Sequence, residues 1–156
     1  MAVKYFAYGS NMSPTVMTAA CRGHRFLCVA RLPDHQLMFN RRSIRTGTGV
    51  ADVVPAKGIS VWGALYELDD EDLPAIYRKE GYDWAYTREP LAVQLCDDGS
   101  EHLALTYTVR RKEPTEVPPS PEYLDGLIDA ATELGLPEHY LQFLDGLRKR
   151  FFLEAR

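Results

Sequence analysis

The stretch Tyr8-Gly9-Ser10-Asn11-Met12 has the residue types of an anion cradle. It follows a β-branched and aromatic run, Val3 to Tyr8, that reads as a strand, and it precedes Ser13-Pro14, a helix-opening pair. Serine caps a helix well, and proline suits the first helical position because its missing N–H would be unpaired there. In a strand–loop–helix order of this kind, backbone N–H groups converge on one spot with the positive end of a helix dipole behind them. Gly9 would let a ligand approach the backbone, and Ser10 and Asn11 would add side-chain donors. An ordinary strand-to-helix turn would use the same residues. A second chemical group is Glu80, before Gly81, at the C-terminal end of a helix expected over Asp69 to Glu80. The dipole disfavours a carboxylate there and raises its pKa if the group is also shielded. Such a carboxylate makes a useful general base near neutral pH. A solvated glutamate beside Lys79 is the alternative.

The elements that must hold these residues are legible from periodicity and turn chemistry. A short helix is expected over Ser13 to Cys21, ended by Arg22-Gly23. Strands are expected at Phe26 to Leu32 and Gln36 to Asn40, as an antiparallel hairpin turned by Pro33-Asp34. Further strands fall at Gly49 to Val54 and Ile59 to Leu68, separated by a Pro55–Gly58 turn. Gly63 lies inside the latter as a bulge or a point of close approach. Pro74 delays the regular part of the Asp69–Glu80 helix to near Asp72, and Leu73, Ile76 and Tyr77 form its apolar face. Tyr86 to Leu95 and Leu103 to Arg110 are strands joined at Asp97–Ser100. Ser120-Pro121 opens a helix capped by Gly135, and Pro137 starts the last one. The sum is an α+β domain over residues 1–156, with six or seven mixed or antiparallel strands and helices packed outside.

Composition excludes several classes. The chain has 156 residues, 46% hydrophobic and 26% charged, which is ordinary for one globular domain. A net charge of −4 gives no footprint for nucleic acid. The densest basic run, Arg41-Arg42-Ser43-Ile44-Arg45, adjoins Thr46-Gly47-Thr48-Gly49 and reads as a solvated loop. No apolar run approaches the ~20 residues that span a bilayer, and no secretory leader is expected. The three cysteines, Cys21, Cys28 and Cys96, form neither a disulfide framework nor a Cys-x-x-Cys site, which suits a reducing, cytoplasmic setting. His24, His35, His102 and His139 share no metal-ligand spacing. Phosphate-loop, dinucleotide and Gly-x-Ser-x-Gly patterns are missing. Ser10 has no partner base in sequence. Cys28, among Leu27, Val29 and Ala30, reads as a small core residue. From the residues alone, the chain is a small-molecule enzyme or a binding domain.

Tyr5-Phe6-Ala7-Tyr8-Gly9-Ser10-Asn11-Met12 resembles the opening signature of the γ-glutamylcyclotransferase family. Phe26–Leu32, Val61-Trp62-Gly63-Ala64-Leu65-Tyr66, and Glu80-Gly81-Tyr82 with Tyr86 and Arg88 resemble successive family segments. Pro119-Ser120-Pro121-Glu122-Tyr123 and Gly135–Tyr140 resemble its C-terminal part. The loop around Arg41 to Gly49 is shorter than in animal forms, which bears on substrate choice. The resemblance implies a small mixed β-barrel with flanking helices. It also implies conversion of γ-glutamyl amines into 5-oxoproline and free amine, with Glu80 as general acid and base. The loop Tyr8, Gly9, Ser10, Asn11 and Met12 would then bind the glutamyl moiety with Tyr86 and Tyr123; Tyr107 is either a pocket residue or core filler. No cofactor and no metal are implied. The partner is a small γ-glutamyl substrate, with no nucleic acid and no membrane, and a homodimer is left open. The leaving amine stays open between amino acids or peptides, ε-lysine and a biosynthetic intermediate. A non-catalytic binding module on the same fold is the reading from another class.

Overall fold

The computed structural model describes residues 2–20, 23–80 and 85–153, without the side chains of Ser10, Ala20, Tyr77, Lys79 and Glu80. The expectations at Cys21, at Arg22 and at Gly81-Tyr82 therefore lie outside the described residues. Five strands, β1 (Ala2–Ala7), β2 (Arg25–Arg42), β3 (Gly49–Asp69), β4 (Tyr86–Leu95) and β5 (Glu101–Val109), close into a barrel in the order β1-β3-β2-β4-β5. Four of the pairings are antiparallel; the closing one, Tyr5 opposite Leu105, is parallel, so the sheet is mixed. Helices α1 (Pro14–Ala20), α2 (Leu73–Glu80), α3 (Pro121–Leu134) and α4 (Glu138–Arg148) flank it, the last running into a π turn at Lys149–Leu153. Phe6, Met12, Leu32, Leu65 and Tyr66 fill the interior. Among the described residues, no helix is long and apolar enough to cross a membrane.

Pro33-Asp34 is not a hairpin turn. β2 runs straight through it, and β3 runs through Pro55–Gly58, so four expected strands are two. The two turn signals face each other: Pro33 pairs with Ser60 and His35 with Pro55, leaving an irregularity between them. Asp34 takes a φ of 58°, tolerable for aspartate, and its Oδ1 accepts the Gly58 N–H at 2.9 Å. Proline's missing donor is harmless at such a bulge. The ribbon therefore bends where it was expected to reverse. It reverses instead at residues 43–48, between Arg42 and Gly49.

Of the two roles open to Gly63, close approach is the one observed. A Cβ there would sit 2.2 Å from the Ala7 carbonyl oxygen and 3.1 Å from the Phe6 ring. This contact lets β1 cross β3 closely and fixes the strand that leads into the Gly9 loop. α2 begins late, after a 3-10 turn at Asp70–Asp72, with Pro74 in its first helical turn and Ile76 buried. α3 starts where Ser120 caps it, its Oγ accepting the Tyr123 N–H at 3.0 Å, and Gly135 ends it at φ 71°. The cap thus sets the place of Tyr123 directly.

Candidate active site

β1 delivers the chain into a tight loop. The Met12 N–H donates to the Gly9 carbonyl at 2.9 Å, and the Tyr66 hydroxyl donates to the Met12 carbonyl at 2.8 Å. The Met12 side chain is wholly buried, so it anchors the loop from below. Tyr8 donates its hydroxyl proton to the Tyr107 carbonyl, and Asn11 Nδ2 donates to the Tyr5 hydroxyl at 2.8 Å. The helix behind the loop, α1, has only seven residues, so its dipole is a weak one.

Under this loop lies a cavity of about 40 Å3, lined by Tyr5, Tyr8, Gly9, Asn11, Ala51, Tyr86, Tyr107 and Tyr123. Such a volume suits one small polar group, such as a carboxylate or a water. The Ala51 peptide holds two of the rings: Tyr86 donates its hydroxyl proton to the Ala51 carbonyl at 3.1 Å, and the Ala51 N–H donates to the Tyr123 hydroxyl at 3.0 Å. Gly9 faces Tyr123, the position of a Cβ being 3.8 Å from its hydroxyl. Tyr107 packs edge-on to Tyr5 with centroids 5.8 Å apart, so it both fills the core and walls the cavity.

Tyr86 and Tyr123 also stand on a groove of about 970 Å3, whose other walls include Arg41, Ser43, Arg45, Thr46, Thr48, Ser120 and Glu122. The cavity and the groove thus have two walls in common. Tyr8, Gly9, Asn11, Tyr86 and Tyr123, expected from sequence, all line the cavity. Ser10 belongs to the 3-10 turn Ser10–Met12 and Glu80 ends α2, but the side chains of both lie outside the described atoms. Sequence reading passed over Tyr5 as a wall residue because it lies in an ordinary strand. It passed over Ala51 because that residue acts through its peptide, which leaves no side-chain signal.

Two other cavities, of about 450 and 390 Å3, flank Trp62 and Arg31 on the outer face of the sheet. Arg31 is tied there to Ser60 Oγ at 2.7 Å and to Gln94 Oε1, and among the described residues no carboxylate lines either space. Cys28 is half-buried rather than in the core, and burial followed by the charge of Asp97 pushes its thiol up to about 11. Its thiolate is scarce at neutral pH, which suits a structural residue and not a nucleophile.

The AIG2-like family model matches residues 60–144 of the chain. A γ-glutamylcyclotransferase of Mus musculus is 30% identical over 148 residues, covering 92% of this chain and 77% of that protein. One of Homo sapiens is 29% identical over 150 residues, with the same two coverages of 92% and 77%. A solved structure named γ-glutamyl cyclotransferase superposes with a TM-score of 0.85 at 29% identity, covering 93% of this chain and 87% of the other.

Proposed function

The chain belongs to the γ-glutamylcyclotransferases of the AIG2-like family, and from that membership together with its tyrosine cavity we infer how it acts. It converts a γ-glutamyl amine into 5-oxoproline and the free amine. Such a substrate must fold its α-amino group back onto its own γ-carbonyl. The loop at Gly9 and Asn11, with Tyr86 and Tyr123, holds the glutamyl carboxylate and favours that folded conformer. Well-oriented intramolecular attack supplies up to about 7–11 kcal/mol of barrier reduction.

Glu80 accepts a proton from the α-ammonium. The freed nitrogen attacks the γ-carbonyl carbon and closes the five-membered ring. The same carboxyl group then gives that proton to the departing nitrogen as the amide C–N bond breaks, and the extra proton left on the ring nitrogen passes through the carboxylate to the released amine, which leaves as an ammonium. No water is consumed and no electrons change hands, so the reaction needs no cofactor. Residues 1–156 act as one domain, and the free thiols Cys28 and Cys96 suit a reducing, cytoplasmic setting.

The observation that carries this reading is the small polar cavity beneath the Gly9 loop, lined by five tyrosines. A crystal structure with 5-oxoproline bound tests it. The expected result is a product carboxylate within hydrogen-bond distance of Gly9, Ser10 or Asn11. A carboxylate seated on another loop would remove the loop from the reaction.

A further inference from the structure

We propose that the β2–β3 hairpin tip, residues 43–48, is the leaving-group subsite, and that Arg45 selects amines that carry a carboxylate. This rests on the cyclotransferase reading, because it asks what occupies the groove beyond the tyrosine cavity. The groove and the cavity share Tyr86 and Tyr123, so a substrate whose carboxylate is seated in the cavity has the space the hairpin walls beside it for the rest of its length. The tip is built to hold its shape. The Ser43 N–H donates to the Thr48 carbonyl, and the Gly47 N–H to the Ser43 carbonyl, each at 2.8 Å. The hydroxyls of Thr46 and Thr48 are 2.8 Å apart and hydrogen-bonded. Gly47 takes the left-handed φ of 72° that the turn requires.

Three arginines divide the work. Arg42 is committed to the turn, donating to the Gly47 carbonyl at 2.7 Å. Arg41 lies over the Tyr86 ring, its Cζ 5.4 Å from the centroid, where the groove meets the cavity. Arg45 is exposed, lines the groove, and makes no ion pair among the described residues. Glu122 stands in the wall contributed by α3. An anion entering this groove is therefore repelled from Glu122 and drawn to the arginine wall. A carboxylate matches the planar fork of a guanidinium, and a tip already cross-bonded loses little freedom on binding it.

The test compares γ-glutamyl-L-alanine with γ-glutamylethylamine, which lacks only the carboxylate, on the wild type and on Arg45→Gln. The wild type is expected to favour the acid about two- to fivefold in kcat/KM, the upper worth of an exposed charged pair. Added salt is expected to shrink that preference. In Arg45→Gln, with the melting temperature unchanged, the acid-to-neutral ratio falls close to one. A wild-type preference below twofold overturns the proposal without the variant, and so does a ratio that Arg45→Gln leaves intact. If neither compound yields 5-oxoproline, the cyclotransferase reading falls and the subsite with it.

Discussion

Replacing Glu80 by glutamine is expected to lower the rate of 5-oxoproline formation by about 10²–10⁴-fold, the usual worth of a positioned acid–base group. Glutamine keeps the size and much of the hydrogen bonding and removes only the capacity to take a proton. Stability should barely move. Glu80 is the last residue of α2, where the helix dipole disfavours negative charge, so the neutral side chain costs nothing there. KM should stay within a small factor if, as proposed, the Gly9 loop and the cavity tyrosines supply the binding. In the wild type the rate should rise with pH as Glu80 loses its proton, since only the carboxylate can accept one. Turnover and thermal unfolding measured on the same preparation decide the matter. A structural glutamate gives a lower melting temperature with the rate nearly intact, and a folded variant of near wild-type activity returns the chain to the binding-module class.

Lys112→Ala is expected to cost about 3 kcal/mol of stability. Asp52 is wholly buried; its Oδ2 accepts from Lys112 Nζ at 2.7 Å and its Oδ1 from the Val109 N–H at 2.8 Å. Removing the ammonium strands a carboxylate in the interior with one amide for company, and such broken buried pairs cost about 3–5 kcal/mol. The lower end applies because the Lys112 side chain is 40% exposed and water screens the pair in part. For a chain of this size, the melting temperature should fall by roughly 6–12 °C. The effect should reach the site as well. Asp52 follows Ala51, whose peptide carries the hydroxyls of both Tyr86 and Tyr123, so KM should rise as those rings loosen. The exposed pair between Lys149 and Asp145, 3.4 Å apart, makes the control: Lys149→Ala should cost only about 0.3–0.5 kcal/mol. Equal thermal shifts in the two variants would show that Asp52 is not a buried charge in need of its partner.

How much of this was visible in the sequence depends on whether a signal is local. The α3 cap at Ser120, its stop at Gly135 and the late start of α2 at Pro74 were legible because each is decided within a few residues. The β4–β5 connection likewise carries its glycine, Gly99 at φ 71°, where the turn needs it. Pro33-Asp34 and Pro55–Gly58 misled for the same reason. Each is a sound turn signal alone, and only the pairing of β2 with β3 places one against the other as a shared bend. The site divides in the same way. Gly9, Asn11, Tyr86 and Tyr123 are set by a loop, a strand start and a helix cap, all with sequence marks. Ala51 and Tyr5 come to the cavity, and Asp52 to Lys112, by long-range pairing, which no spacing along the chain announces. The loop around Arg41 to Gly49 is exposed at its tip, as a solvated loop should be, yet it also walls the groove beside Tyr86.

A γ-glutamylcyclotransferase closes a γ-glutamyl group on itself. Incubation of the purified protein with γ-glutamyl-L-alanine, with both products quantified, tests it most directly. 5-Oxoproline and alanine are expected in equal amounts, with no free glutamate. Glutamate in place of 5-oxoproline would mean attack by water and not by the substrate's own amine. That result, or unchanged substrate at saturating concentration, would contradict the account.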